Sequence, residues 1–358
     1  MNTVTNRTES ALCVISMNLL SSQQPAQKQT FGETILILFR WKGSIYKTIW
    51  KQMLVYCVLF YSLTIVYKVG LDEEGKIAFR ALAKYFSKQT GSLNLMIMLG
   101  FFTTTAMQRL FTMHTAMPGT AKLVSFFLMS IKQDLPEGAV LVEQFARWAV
   151  LSWVLTYRIV SKPLRDLFPD MVSLQRAGLI RENERYLLDR VEPIAANTTP
   201  RPLLPIDWML LLARDCATEN RYPDKGNYVK LLDFILGFKK SCGNTIKFAT
   251  KNLPHALIQA AIIFVYVYGL ITLMSRNFDG AEKDVFLEGF VSYVPAMPSL
   301  QFFIFLIWLN FGRTAVNPFG SDDDDIDVQQ LLKTHVQDSL RLASLYNKEL
   351  DDIFDNMP

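Results

Sequence analysis

The chain has 358 residues, of which 50% are apolar and only 20% are charged, and its formal net charge is +4. That balance is typical of a membrane protein and argues against a soluble enzyme of ordinary composition. The small positive charge is spread along the chain and does not form one stripe, so nucleic acid is not a predicted partner.

The first segment, residues 1–31, is a polar N-terminal extension. Its apolar patch is too short for a signal peptide, and no small-residue cleavage site follows it. We therefore expect membrane insertion to depend on the apolar segments further along the chain.

Four segments that are almost free of charged residues predict helices that cross a membrane. The predicted spans are about 49–68, 89–108, 252–275 and 289–312. At a rise of about 1.5 Å per residue, helices of this length cover a hydrocarbon layer of about 30 Å. The second segment also contains Asn94 and several threonines, so a buried helix of a soluble core stays open as the alternative there.

The long segment 109–251 lies between the second and third predicted spans and contains apolar stretches that prolines interrupt. None of these stretches alternates as a strand would, and proline ends or kinks helices, so we expect a helical cytosolic region. Four crossings place both termini on one side. Arg40, Lys42 and Lys47 precede the first span and predict that this side is the cytosol. The predicted fold class is an all-α membrane protein with four transmembrane helices continuing into this region.

The acidic run Asp322 to Asp325 follows closely on the last predicted span. Four adjacent carboxylates repel one another unless water or a cation compensates them, and Ca2+ prefers such oxygen ligands. On a helix, Asp322 and Asp325 would share one face. Two alternatives stay open, namely a solvated acidic helix start and a magnesium-diphosphate motif over 323–327, for which a second Asp-rich motif is missing.

The second predicted span carries a stripe of apolar side chains at every fourth position, formed by Leu93, Ile97 and Phe101. Side chains spaced in this way lie on one helix face. In a single chain such a stripe is typical of a packing seam.

No arrangement of residues in the sequence predicts catalysis. His114, His255 and His335 are far apart, the four cysteines are scattered singly, and neither a nucleophile elbow nor a phosphate-binding loop is present. We therefore do not predict an enzyme.

Several ordered motifs resemble those of the bestrophin family of calcium-activated chloride channels. Asn-Pro-Phe-Gly at 317–320, followed by four Asp, resembles the calcium clasp of that family. Upstream, the similar motifs are Trp-Lys-Gly-Ser-Ile-Tyr-Lys at 41–47, Leu-Gly-Phe at 99–101 with Arg109, Cys-Gly at 242–243 with Pro254, and Leu-Gln-Phe-Phe at 300–303. The resemblance covers about residues 32–354.

The resemblance implies a homopentameric channel with a central pore, in which related subunits can also mix. Chloride and other small anions are the implied permeant ions, Ca2+ the implied gating ligand, and the cell membrane the implied location. It divides the chain into a channel domain at 32–312 and a calcium clasp with the C-terminal cytosolic segment at 313–358. A membrane scaffold or accessory subunit that does not itself conduct is the alternative.

The resemblance also implies the ligands of the calcium ion. Asp322 and Asp325 would bind it with their side chains, and Thr314 and Asn317 with their backbone carbonyls. A further carbonyl from the N-terminal segment falls near Gln27 or its neighbour Ala26.

For the pore, the resemblance implies that Leu93, Ile97 and Phe101 face the central axis and form an apolar neck. A narrow apolar ring can gate by dewetting, because an ion there loses water without gaining ligands. The cytosolic aperture of the family falls at Gly226, where no bulky apolar side chain is present. An ordinary turn at 223–227 is the alternative.

Overall fold

The structure is a computed structural model that describes residues 44–90, 95–190, 201–250, 254–275, 296–316, 318–320 and 325–346. Within these ranges all regular structure is helical, which confirms the predicted fold class at that level. The helices are α1 (Ile45–Ile65), α2 (Glu73–Thr90), α3 (Leu95–Thr115), α4 (Ala121–Ser130), α5 (Gly138–Val160), α6 (Lys162–Leu167), α7 (Met171–Arg176), α8 (Glu182–Arg190), α9 (Leu204–Thr218), α10 (Lys225–Thr250), α11 (His255–Met274), α12 (Ala296–Val316) and α13 (Val328–Ser344).

Helices α1, α2, α3, α11 and α12 form one bundle, in which α12 packs along both α1 and α3. Aromatic rings fill much of its core. Tyr56 of α1 stacks on Phe302 of α12 with ring centroids 4.7 Å apart, and its hydroxyl lies 3.3 Å from the Thr272 hydroxyl of α11. Tyr268 of α11 meets Phe305 edge to face. Such contacts fix the three helices relative to one another.

Four helices of the described chain are long and apolar enough to cross a membrane, namely Ile45–Gly70, Gly138–Val160, His255–Met274 and Pro298–Val316. The first is α1 together with its continuation as a short π-helix. The first, third and fourth overlap the predicted spans 49–68, 252–275 and 289–312. The predicted span 89–108 falls on two helices in the structure, because α2 ends at Thr90 and α3 begins at Leu95.

The remaining candidate, α5, is the central helix of a second group of helices. Two thirds of its most apolar window is buried inside the protein, against α4, α9, α10 and α13. A helix whose apolar side chains are covered by its neighbours in this way forms the core of a helical body. Phe127 of α4 stacks on Phe145 of α5 with ring centroids 3.9 Å apart. The apolar stretches predicted within 109–251 therefore pack as helices around α5.

A buried ion pair ties α5 to α8. Arg147 donates two hydrogen bonds of 2.6 Å to the carboxylate of Glu184, and the Trp148 indole donates a third at 2.7 Å. Burial alone would raise the pKa of the Glu184 carboxyl. The hydrogen bonds to this group and the positive charge of Arg147 outweigh burial, and they lower the pKa to about 2. The pair is therefore ionised throughout the neutral range.

The two groups of helices meet at the end of α3, where hydrogen bonds join it and the residue after it to α10. The Arg109 guanidinium, near the end of α3, donates to the Phe248 carbonyl of α10. The Thr245 hydroxyl of α10 lies 3.4 Å from the Ala116 carbonyl, just after α3. A guanidinium bond to a helix carbonyl is charge-assisted, so it is stronger than a neutral bond and holds the end of α3 in place.

Candidate functional site

Helix α3 has one buried and one exposed face. Leu95, Leu99 and Phe102 are nearly fully buried against the rest of the bundle. Ile97 and Phe101 lie on the opposite face and are 55% and 72% exposed. The predicted stripe therefore does not pack into the bundle core at these two positions. Its third member, Leu93, lies outside the described residues.

The loop after α12 is tied to the group of helices around α5. Phe319 is almost completely buried and meets the Tyr157 ring of α5 edge to face, with centroids 5.6 Å apart. The Ile326 amide donates to the Pro318 carbonyl at 2.9 Å and so closes the loop that holds the acidic run. Asn317 and Asp322 lie outside the described residues, as does Gln27.

The last acidic residue of this region, Asp327, caps α13. Its carboxylate accepts a 2.9 Å hydrogen bond from the Gln330 amide, as N-cap residues do. Helix α13 begins at Val328, so Asp325 precedes the helix. The helical spacing considered for the acidic run therefore does not apply to Asp325.

A cavity of about 410 Å3 brings Thr314 and Asp325 together. Its walls also include Leu110, Phe111 and His114 of α3. The exposed face of α3, the end of α12 and the acidic loop thus share one space.

The chemistry of the oxygens in this cavity fits a calcium ion. Thr314 lies in the last turn of α12, where backbone carbonyls have no partner within the helix and carry the negative end of its dipole. Carbonyl and carboxylate oxygens are the ligands that Ca2+ prefers. Among the described residues, no group of three His, Cys, Asp or Glu side chains is placed to hold a metal ion.

Gly226 lies in the first turn of α10, inside the turn that is closed by the 3.2 Å hydrogen bond from the Asn227 amide to the Asp224 carbonyl. A Cβ atom on Gly226 would lie 2.8 Å from the Asp224 carboxylate, an exposed side chain that can move aside. The nearest exposed apolar side chain on α10 is Val229, which is 59% exposed.

The family described as Bestrophin, RFP-TM, chloride channel matches residues 19–344 of this chain. Bestrophin homolog 13 of Caenorhabditis elegans is 27% identical over 324 residues, which cover 87% of this chain and 77% of that protein. Bestrophin-2 of Mus musculus is 29% identical over 330 residues, which cover 91% of this chain and 62% of that protein. Bestrophin-1 of Homo sapiens is 25% identical over 333 residues, with coverage of 91% and 56%.

Among solved structures, a bacterial bestrophin homolog from Klebsiella pneumoniae has a similar fold. The TM-score is 0.62 at 13% sequence identity, and the match covers 84% of this chain and 99% of that one. A likeness at this identity concerns the fold. The present chain spans only 62% of the length of the mouse relative and 56% of the human one.

Proposed function

The chain belongs to the bestrophin family, a family of membrane chloride channels, and from that premise we propose that it is one subunit of a calcium-activated anion channel. The observation that carries the proposal is the exposed apolar pair Ile97 and Phe101, on a helix whose other face is buried. Large apolar side chains that are exposed on one chain indicate a contact surface, which lipid or other subunits can bury.

We propose that copies of the chain, five by resemblance to the family, surround one pore with Leu93, Ile97 and Phe101 facing the axis. A single stripe on each subunit can enclose a path only when several subunits are arranged around a rotation axis. The rings then form a neck that excludes water in the closed state, and an anion passes when the side chains withdraw. Chloride and other small anions are the proposed permeant ions.

We propose that cytosolic Ca2+ binds at Asp322 and Asp325, at the carbonyls of Thr314 and Asn317, and at a carbonyl near Gln27. The cavity that contains Thr314 and Asp325 is also lined by Phe111 and His114 of α3, which supports a coupling between clasp and neck. An ion that binds the open arrangement more tightly shifts the population toward it.

The proposed orientation places both termini and the helices around α5 in the cytosol, in a protein of the cell membrane. Basic residues of segment 109–251 then concentrate anions at the inner entrance. We propose that the exit at Gly226 is wide, because glycine adds no ring of side chains there.

The test is a recording from purified full-length protein in planar bilayers, with anion replacement at controlled cytosolic calcium. We expect a current that reverses at the chloride equilibrium potential and rises with calcium. A protein that inserts into the bilayer but passes no halide at any calcium concentration contradicts the proposal and favours a non-conducting accessory subunit.

A further inference from the structure

The exposed face of α3 changes its chemistry directly after Phe101. Steps of four, three and four residues from Ile97 lead to Phe101, Thr104 and Gln108, and steps of this kind keep side chains on one helix face. All four residues are exposed. The face that the proposed function turns toward the pore therefore passes from apolar to polar within one helical turn.

Most threonine hydroxyls on α3 are already engaged within the helix. They donate to the carbonyl four residues earlier, from Thr103 to Leu99 at 2.8 Å, Thr105 to Phe101 at 2.8 Å, Thr112 to Gln108 at 2.7 Å and Thr115 to Phe111 at 3.0 Å. A hydroxyl has one hydrogen, so these groups have no donor left for another partner.

Thr104 is the exception among the threonines of α3. Its hydroxyl forms no hydrogen bond with any part of the chain that the structure describes, so its hydrogen is available. The side-chain amide of Gln108 also forms no hydrogen bond within those ranges, and it carries two N–H donors. The two side chains lie four residues apart and are therefore neighbours on the helix surface.

We propose that Thr104 and Gln108 of each subunit form a ring of hydrogen-bond donors that receives the anion as it leaves the apolar neck. The proposal rests on the proposed channel function and adds the residues that set its anion preference. An anion in the neck has lost part of its hydration, and donors one turn further replace the lost water. Such donors favour a strongly hydrated anion such as chloride over a weakly hydrated one such as thiocyanate.

The experiment measures reversal potentials of the full-length protein in planar bilayers, with chloride on one side and thiocyanate on the other. Thr104→Val keeps the shape of the side chain and removes its hydroxyl. We expect it to raise the thiocyanate-to-chloride permeability ratio by about threefold or more, because a hydrogen bond to a charged group is lost. Thr104→Ser keeps the donor and should retain the wild-type ratio.

The matched control is Thr105→Val, the same chemical change one residue away, on a hydroxyl that already donates to Phe101. We expect no change in the ratio for this variant. A second variant, Gln108→Met, removes the amide donors at similar length and should shift the ratio in the same direction as Thr104→Val. Reversal potentials do not depend on the number of channels, so differences in expression do not disturb the comparison.

The proposed donor ring is contradicted if Thr104→Val and Gln108→Met channels conduct but keep the wild-type thiocyanate-to-chloride permeability ratio. It is also contradicted if Thr105→Val shifts this ratio as much as Thr104→Val does. In either case the channel function itself is unaffected. A wild-type protein that passes no anion would instead overturn the channel function, and the ring with it.

Discussion

The ring of Phe102 on α3 lies directly over Gly312 of α12. A Cβ atom on Gly312 would be 2.5 Å from a ring carbon of Phe102, well inside van der Waals contact. The absence of a side chain at Gly312 therefore lets the proposed pore helix approach the helix that leads to the calcium clasp. Motion of either helix is transmitted to the other through this contact.

We predict that Gly312→Ala lowers the stability of the bundle, because the new methyl group forces α3 and α12 apart. Overpacking of this kind costs about 1 to 3 kcal/mol of unfolding free energy. Thermal unfolding in detergent measures the change. The control is Gly100→Ala, where no atom lies within 4 Å of the added Cβ. A Gly312→Ala protein that melts no lower than Gly100→Ala contradicts the prediction.

For the calcium clasp, we predict that Asp325→Ala raises the calcium concentration for half-maximal current by about tenfold, because one carboxylate ligand is lost. A calcium dose-response in excised patches measures the shift. Asp327→Asn is the matched control, since asparagine also caps helices and the role of Asp327 is to cap α13. An unchanged dose-response in Asp325→Ala removes Asp325 from the ligand set.

For the neck, we predict that replacing Leu93, Ile97 and Phe101 together with Ala gives current without calcium, at about half of the calcium-activated level or more, because the smaller rings stay wetted. Patch recording in calcium-free solution measures this current. Met96→Ala is the control, because Met96 is equally exposed but lies about 100° around the helix from Ile97. A triple variant that stays closed without calcium argues against the neck.

His335 of α13 gives the group of helices around α5 a pH-dependent stability. Its Nδ1 atom lies 3.0 Å from the Thr120 hydroxyl, and its ring packs on Trp153 with centroids 4.9 Å apart. Burial lowers its pKa from 6.5 to about 4, against the opposing charge of Asp338. The unfolded chain therefore takes up the proton at higher pH than the folded protein does.

We accordingly predict that stability is unaffected by His335 above pH 6.5 and falls as the pH drops from 6.5 to about 4. The loss is on the order of 3 kcal/mol at the lower end. Melting temperatures across this range measure it, and His335→Gln should flatten the slope. If wild type and variant lose stability in parallel, the cause lies in other groups.

The sequence predicts the apolar helices well because a charge-free run of sufficient length has few other stable outcomes in a membrane protein. The sequence predicts α3 as a membrane-spanning helix less well, because Thr103, Thr104 and Thr105 interrupt its run of apolar residues. Which face of α3 is exposed cannot be predicted from spacing, since a packing seam and a pore lining have the same period. The exposed fractions of Ile97 and Phe101 separate the two faces.

Local hydrogen bonding explains what spacing could not predict at the acidic run and on α3. Asp327 forms the helix cap through one backbone amide, which leaves Asp325 before the helix. The choice between intrahelical bonding and a free hydroxyl distinguishes Thr105 from Thr104, although the two are adjacent and identical in type. Such differences depend on rotamers and neighbours, and the order of residues does not specify them.

The burial of Phe319 has a mechanical consequence. Gly312 is held against α3, and Phe319, seven residues later, is held inside the body built around α5. Only seven positions along the chain therefore separate a fixed point in the bundle that contains α3 from a fixed point in the body around α5. If the helices around α5 tilt, these two fixed points would carry the displacement to α3. In the proposed channel, a partner that binds the helices around α5 would therefore change the current without touching the pore.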